Sequence, residues 1–345
     1  TEVGGGWETQ DGDGSIRSGR IANAAEFDDV SFRYANFVNT AFGDHGSFVA
    51  ATVADAVQFR PRPADGSETL VDLTRASISG GVLGQPETGE AFYDCTKTTI
   101  GRVQLDDENC TRELFDYFRL CDTDFDGFDF TSHKAHLAEN GWIIHEFGTE
   151  RTTERDGQVT NPATLENTYL KAKNCASDFG DRKAAAEFFI KEMLYRRRKH
   201  RYIASGRSVG SLTTVSPRTR IGAVGKWFGN TILYQTCGYG ERLWRVLYVS
   251  LGAIFLWGMV YTLMPTGVEG TGQRTLESAA QLLTPEGIAV LGRNMYFSTA
   301  TFITLEYVNG SPGGSMARWL AGLEAFTGAL LIALVVFVLG RRVAW

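Results

Sequence analysis

Glu306 is the residue of this sequence whose type and position most clearly predict chemistry. It follows a run at about 294–305 that is rich in Ser and Thr and too short to cross a membrane. Such a run is typical of a re-entrant helix, whose C-terminal carbonyl groups attract cations. A carboxylate directly after that helix end is a further cation ligand. The chemistry that we expect here is therefore ion binding.

Two long apolar segments flank this run. Residues 246–264 carry no charged side chain, and residues 319–340 carry one acid, Glu324, before Arg341 and Arg342. Each segment is long enough to cross a hydrocarbon core of about 30 Å. The connector of 54 residues is too long for a plain hairpin. The sequence therefore predicts two membrane spans with a re-entrant pore helix between them.

The connector also carries a recognisable motif. Residues 297–312 read FSTATFITLEYVNGSP, which resembles the pore region of two-transmembrane potassium channels, written FSxxTFTTLGYGDxxP. The resemblance covers about residues 240–345. It implies a tetramer around a central pore, with one filter strand from each copy. The filter residues would be Thr304, Leu305, Glu306, Tyr307, Val308 and Asn309.

The filter departs from that family at its glycines. Glu306 and Val308 stand at the two glycine positions, and Asn309 stands at the acidic one. Glycine lets backbone carbonyls turn inward and replace the hydration shell of K⁺, so stacked carbonyl sites are hard to build here. Fourfold symmetry would instead give a ring of Glu306 carboxylates, similar to the TLE filter of bacterial voltage-gated sodium channels. We expect Na⁺, Ca²⁺ or mixed cations to permeate, without any cofactor.

Two alternatives stay open for this pore. One is a potassium-selective channel with an atypical filter. The other is a membrane-anchored scaffold that does not conduct, because both filter glycines are lost. A second GYG, in the stretch 236–241 (TCGYGE), lies before the first span and beside Arg242. It has no pore helix before it, so it predicts an interfacial turn rather than a filter.

The second span carries the remaining pore candidates. Glu324 is an intramembrane carboxylate, which is a functional residue by default, and we expect it to brace the filter or the pore helix. Gly328 is either the flexing point of an inner helix or a site of close helix packing. Residues at helical spacing would line the inner mouth and form a gate: Thr327, Leu331, Leu334 and Val338.

Apolar residues recur every five positions through residues 15–132, a period that neither a helix nor a strand produces. The pattern resembles the pentapeptide-repeat family. It implies a right-handed quadrilateral β-solenoid with four pentapeptides per coil, broken by a loop at 60–66. A rigid scaffold is the favoured role, with a ligand sensor or a mimic of DNA charge as alternatives. The repeat positions are Phe27, Phe32, Phe37, Phe42, Phe48, Val53, Leu73, Ile78, Leu83, Cys95, Ile100, Leu105, Cys110, Phe115, Leu120, Phe125 and Phe130.

Charge is divided unevenly along the chain. Residues 1–150 carry 27 acidic and 11 basic side chains, whereas residues 151–345 carry 13 acidic and 23 basic ones. The split predicts an acidic soluble head and a basic segment that faces a negative surface. A dense basic run lies shortly before the first span, where contact with lipid headgroups is expected rather than with nucleic acid. Its members are Arg196, Arg197, Arg198, Lys199 and Arg201.

No motif in the sequence predicts an enzyme. There is no nucleophile elbow, P-loop, dinucleotide-binding fingerprint or HExxH. Five scattered cysteines without a CxxC pair indicate reduced cytoplasmic thiols. His133 and His136 lie three positions apart, which suits either two ligands or a solvated cap helix. We favour the cap helix and expect no metal site in the soluble domain.

Together these patterns predict a multidomain chain. A polar, disordered start (1–14) precedes the solenoid and its cap (15–147). A helical linker with a helix hairpin and an interfacial segment (148–240) leads to an all-α pore module (241–345). Basic residues before the first span and after the second put both termini in the cytoplasm. We expect a homotetramer in the cell membrane, with the lipid bilayer as its partner.

Overall fold

The computed structural model describes residues 3–4, 9–10, 13–15, 20–21, 24–64, 67–148, 161–209, 215–264, 268–269, 284–304, 311–312 and 314–343. The chain divides into two compact units, Thr1–Phe228 and Gly229–Trp345. Strands dominate the first unit, and helices dominate the second.

Strands of the first unit form two sheets. The strands are β1 (Val3–Gly4), β2 (Thr9–Gln10), β3 (Asp13–Ser15), β4 (Arg20–Ile21), β5 (Ala24–Glu26), β6 (Ser31–Phe42), β7 (His45–Ser47), β8 (Thr52–Pro63), β9 (Glu68–Asp72), β10 (Ser77–Leu83), β11 (Glu90–Asp94), β12 (Thr99–Leu105), β13 (Phe118–Arg119) and β14 (Asp124–Phe125). One sheet has the order β4-β6-β8-β10-β12-β14, and the other has β5-β7-β9-β11-β13. Both run parallel throughout these orders. Each coil of chain gives one strand to each sheet, which is the arrangement of a β-solenoid.

The five-residue repeat supplies the core of this solenoid. Every repeat position named above is buried or partly buried. Aromatic rings stack from coil to coil, with centroids 5.0 Å apart for Phe37 on Phe59 and for Tyr93 on Phe118. Such pairs add to the burial of apolar area. The predicted β-solenoid is therefore confirmed.

The coils are longer than the twenty residues that four pentapeptides would give. Phe32 pairs with Val53, Val53 with Ile78, Ile78 with Ile100, and Ile100 with Phe125. These pairs make successive coils of 21, 25, 22 and 25 residues. The ladder absorbs extra residues at register shifts, because an unpaired residue in a strand bulges out of the sheet.

The loop predicted at 60–66 was wrong at its start. β8 continues to Pro63, because Arg60 pairs with Val38 and Pro63 pairs with Phe42 on the neighbouring coil. The extra ladder pairs hold this stretch in the sheet.

The polar start at 1–14 also contains regular structure that we did not expect. β1 pairs antiparallel with β4, and β2 pairs antiparallel with β3. Backbone pairing thus gives strand structure to the described residues of this segment.

Short helices close the C-terminal end of the solenoid. Two 3₁₀ turns, Leu114–Tyr117 and Phe130–His133, precede helix α1 (Lys134–Glu139). His133 is buried and stacks on Phe128, with ring centroids 5.8 Å apart. Burial lowers the pKa of His133, so this imidazole is a neutral core residue.

The linker contains a helix hairpin made of α2 (Pro162–Asp178) and α3 (Arg182–Ala204). Each helix begins at a side-chain cap, because Asn161 accepts from the N–H of Ala163 and Asp181 accepts from the N–H of Ala184.

A buried histidine joins the hairpin to the cap. His145 Nδ1 lies 2.9 Å from the Tyr169 hydroxyl on α2, and Nε2 lies 3.2 Å from the Tyr195 hydroxyl on α3. Burial lowers the pKa of His145 to about 4. The imidazole is therefore neutral at physiological pH and holds the three segments by hydrogen bonds.

Acidic side chains of the same hairpin occupy part of the basic run. Arg196 pairs with Glu166 at 2.8 Å and with Glu192 at 2.6 Å, and Lys199 pairs with Glu166 at 2.5 Å. These two cations are thus bonded within the protein. Arg198 and Arg201 are exposed.

Helix α4 (Pro217–Cys237) crosses the division between the two units. It contains no acidic residue. An apolar stripe at helical spacing is exposed along it, comprising Ile221 (74%), Val224 (48%), Phe228 (59%) and Ile232 (45%). A solvent-facing helix would carry polar residues on that face.

The second unit continues with α5 (Leu243–Leu263), α6 (Pro285–Thr304) and α7 (Gly314–Val343). A short antiparallel pair, β15 (Val268–Glu269) with β16 (Ser311–Pro312), lies between them in the chain. Among the described helices, α5 and α7 are the two that are long and apolar enough to cross a membrane.

The predicted pore helix corresponds to α6, but its predicted start at 294 was wrong. The helix begins at Pro285, nine residues earlier. Pro is favoured at a first helical position, and the Thr284 hydroxyl accepts from the N–H of Gly287 at 3.1 Å. This cap, rather than apolar character, sets the start of the helix.

Candidate functional site

The candidate filter begins where α6 ends. Thr304 is the last residue of α6, so its backbone lies at the helix end that the sequence predicted to face a cation. The other predicted filter residues lie outside the described residues: Leu305, Glu306, Tyr307, Val308 and Asn309. The described part of the site is therefore the helix end that precedes that segment, together with the residues packed against α6.

A buried carboxylate on α7 joins all three helices. Glu324 is fully buried. The Tyr261 hydroxyl on α5 donates to Glu324 Oε2 at 2.7 Å, and the Ser298 hydroxyl on α6 bonds to Glu324 Oε1. Ser298 Oγ also lies 2.9 Å from the carbonyl oxygen of Ile254 on α5. A polar group in an apolar layer must find partners inside the protein, and here the partners come from two other helices.

Further contacts extend this network toward the start of α6. The Asn294 amide donates to the Thr262 hydroxyl at 3.1 Å, and that hydroxyl donates to the carbonyl of Gly258 at 2.7 Å. The ring of Phe297 meets Tyr261 edge to face, with centroids 5.2 Å apart. Polar contacts at 294 and 298 and the ring at 297 thus fasten one side of α6 to α5.

The C-terminal turn of α6 lies directly against α7. A Cβ atom placed on Gly328 would stand 2.3 Å from the carbonyl oxygen of Phe302, so only glycine permits the two backbones to come this close. Of the two roles considered for Gly328, this geometry describes close packing.

Thr301 lies one turn before the helix end. Its side chain is 1% exposed, and its hydroxyl has no hydrogen-bond partner among the described residues. A buried hydroxyl without a partner is costly. In the sequence, the residues that follow Thr304 are the nearest to Thr301 that lie outside the described ranges.

One stripe of α7 is covered by the rest of the unit. It follows a spacing of three and four and contains Ala317, Ala321, Glu324, Gly328, Leu331 and Val338, all buried. Leu331 and Val338 pack in a cluster with Val246 of α5 and Phe302 of α6. The prediction that Leu331 and Val338 line the inner mouth was therefore wrong, since α5 and α6 cover them. Thr327 and Leu334 are half-buried and remain candidates.

The second GYG forms a tight turn between α4 and α5. Gly238, Tyr239 and Gly240 all have positive φ, at 55°, 62° and 87°. The Tyr239 hydroxyl donates to Asn230 Oδ1 at 2.6 Å, which holds the turn against α4. As the sequence predicted, this GYG turns the chain into α5.

Two partners of Glu324 were not assigned a role from the sequence. Ser298 is part of the pore-like motif, but the motif does not say what its hydroxyl touches. Tyr261 lies 63 positions before Glu324, and no local pattern links residues that far apart. A tyrosine within an otherwise apolar span was the signal that was present, because a buried hydroxyl needs a partner.

Comparison with protein-family models matches residues 283–344 to the family described as Ion channel. Comparisons with curated proteins and with solved structures give no match. The matched region contains α6 and α7, and α5 and α7 are the candidate spans. The C-terminal part of the chain is thus similar to two-transmembrane, potassium-channel-like modules, and the N-terminal β-solenoid is consistent with pentapeptide repeats.

Gly328→Ala is expected to lower the stability of the full chain by about 1–3 kcal/mol, because the new methyl group overpacks the α6–α7 contact. The control is Gly322→Ala on the same helix, where an added Cβ meets nothing within 4 Å. Thermal unfolding in detergent measures both. An unchanged melting temperature for Gly328→Ala, with altered gating, would indicate a hinge instead.

Glu324→Ala is expected to destabilise the helical unit more than Glu324→Gln. Alanine removes the carboxylate that accepts from the buried Tyr261 hydroxyl, at a cost of about 1–3 kcal/mol, whereas the Ser298 hydroxyl can still donate to the Ile254 carbonyl. Glutamine can accept from Tyr261 and donate to Ser298. The control is Thr327→Ala, because the Thr327 hydroxyl donates to the Leu323 carbonyl of its own helix and to no other helix among the described residues. Equal melting temperatures for the two Glu324 variants would show that the hydrogen bonds of Glu324 do not stabilise the helical unit.

Proposed function

We propose that four copies of this chain assemble into a cation channel whose filter is formed by residues 304–309. Glu306 from each copy contributes to a ring of carboxylates around the pore. Such a ring favours Na⁺, Ca²⁺ or mixed cations, because charged oxygens rather than carbonyl cages hold the ion. No cofactor or catalytic group is part of this proposal.

The fixed end of α6 is the observation that carries the proposal. The Ser298–Glu324 bond and the Gly328–Phe302 contact hold the last two turns of α6 against α7. The segment after Thr304 therefore starts from a rigid base. A filter needs such a base, because its ligands must keep their distances while ions pass. Glu324 would act as the filter support.

A pore of this kind needs several copies of the chain. Two spans and the helix between them do not surround a water path by themselves. The face of α7 away from the covered stripe exposes large apolar side chains, including Phe326 (67%), Leu330 (56%) and Phe337 (59%). Lipid or neighbouring copies would cover them. A tetramer is the number implied by the potassium-channel resemblance, with Thr327 and Leu334 as candidates for the inner gate.

Two neighbouring elements, the basic run on α3 and the apolar stripe of α4, would contact the membrane surface. Arg198 and Arg201 are the exposed members of the basic run on α3, since Arg196 and Lys199 are paired with carboxylates. The apolar stripe of α4 suits the headgroup boundary. The chain passes from α4 through the GYG turn into α5. Both termini would then lie on the cytoplasmic side of the cell membrane, as the positive-inside rule indicates.

Permeability ratios measured in bilayers test the carboxylate ring. Glu306→Gln is expected to reduce Ca²⁺ relative to Na⁺ permeability at least tenfold, because it removes every charge of the ring. Glu286→Gln, an exposed carboxylate at the start of α6, is the matched control and should leave the ratio unchanged.

Three results would count against the proposal. Ratios that Glu306→Gln leaves unchanged would exclude the ring. Strong K⁺ selectivity in the wild type would indicate a potassium channel with an atypical filter. A tetramer that carries no current, in bilayers where an unrelated, well-characterised cation channel does conduct, would indicate a scaffold.

Lipid contact is tested by melting the full chain in mixed micelles of rising phosphatidylglycerol content. The melting temperature of the wild type is expected to rise, and Arg198→Gln/Arg201→Gln should lose at least half of that rise. The control is Arg75→Gln/Arg102→Gln, which removes two exposed charges from the solenoid. The same rise in both double variants would show that this basic pair does not meet lipid.

A further inference from the structure

Three side chains that can ligate metals converge on the cap of the solenoid. Glu113 directly precedes the turn Leu114–Tyr117, and His136 and Glu139 lie one helical turn apart on α1. One ligand atom from each of the three lies within 4.8 Å of the other two. Metal–ligand bonds of about 2 Å require ligand atoms no more than about 4 Å apart, so one ion would bridge all three after small rotations of the two exposed glutamate side chains.

The orientation of His136 points into this triangle. Its Nδ1 is inaccessible to water and makes no hydrogen bond among the described residues. That atom lies 3.9 Å from Glu113 Oε2, whereas Nε2 lies 3.4 Å from Asp107 Oδ2. A metal-bound histidine typically directs its second nitrogen to a carboxylate, which orients the ring and makes it more basic. Asp107 stands in that position.

The two carboxylates also lie close together. One carboxylate oxygen of Glu113 lies within 4.8 Å of one of Glu139, so two negative charges are held near each other. Carboxylates in contact need a shared proton or a cation between them. A cation in the triangle would neutralise this repulsion and would give Nδ1 of His136 its missing partner.

We propose that Glu113, His136 and Glu139 bind one divalent transition-metal ion of the Zn²⁺ or Co²⁺ class, with Asp107 orienting the histidine. One imidazole with two carboxylates suits these ions, whereas Mg²⁺ and Ca²⁺ prefer oxygen ligands alone. This assignment replaces the expectation that the soluble domain has no metal site. His133, which the sequence offered as a second histidine ligand, is instead buried against Phe128.

The site would strengthen the connection between the cap and the helix hairpin. Its ligands join the turn that begins at Leu114 to α1. Lys134 at the start of α1 pairs with Asp181, the N-cap of α3, at 2.7 Å. A bound ion would therefore raise the unfolding temperature of the head, since a ligand that binds only the folded state stabilises it.

Metal binding to the purified full chain, stripped with a chelator, tests the site directly. Co²⁺ and Zn²⁺ are added, excess ion is removed by desalting, and bound metal is measured by mass spectrometry alongside the Co²⁺ absorption spectrum. We expect one ion per chain and a higher melting temperature with metal. Glu113→Gln, His136→Gln and Glu139→Gln should each weaken binding at least tenfold. Asp107→Asn should weaken it less than these three.

Glu87→Gln, an exposed carboxylate elsewhere on the solenoid, is the matched control and should bind as the wild type does. No stoichiometric metal in the wild type, or equal binding by the wild type and the three ligand variants, would overturn the proposal. A thiolate-to-cobalt charge-transfer band that persists in those variants would likewise overturn it and place the ion on cysteine.

Discussion

Glu324 bonds to hydroxyl groups from two other helices, and the arrangement of α5, α6 and α7 depends on this contact. A carboxylate in an apolar layer has no water to solvate it, so the helices must come together where both hydroxyls reach it. Gly328, four residues later, then permits the backbone of α6 to rest on α7. The C-terminal end of α6 therefore has little freedom to move. Any displacement of that end requires α7 to move with it.

The N-terminal unit is built on a different principle. Its solenoid is a stack of coils in which each coil contacts its neighbours, so its stiffness comes from repetition. The cap and hairpin add specific polar contacts, such as the neutral His145 between two tyrosines. α4 belongs to both units and continues into α5.

Sequence reasoning was strongest where one pattern had one physical cause. A period of five matches neither the 3.6-residue period of a helix nor the two-residue alternation of a regular strand, and the residues at that period fill the solenoid core. Coil lengths of 21 to 25 residues could not be foreseen, because the extra residues lie at register shifts that carry no periodic signal. The spans were predicted from apolar length. The start of α6 was missed although Thr284 and Pro285 form an N-terminal signal, since apolar character alone was used to bound it.

The residues predicted for the pore also divide into those that the sequence could identify and those that it could not. Glu324 was identified because an acid in a span stands out, but its partner Tyr261 lies far away in sequence and could be found only in three dimensions. Leu331 and Val338 were assigned to the wrong face of α7. Their positions had been counted from Thr327, whereas the covered stripe passes through Glu324 and Gly328, which lie about 60° and about 100° from Thr327 around the helix. A single apolar helix does not reveal which face is covered.

The covered stripe of α7 has a consequence for how the length of this helix can change in evolution. Each residue advances a helix by about 100°, so a deletion between Glu324 and Leu331 would rotate everything beyond it away from α5 and α6. An insertion of seven residues would nearly restore the face and would move the helix end outward by about 10 Å. Point substitutions can thus alter this module gradually, whereas changes in length are tolerated only in steps of about two turns.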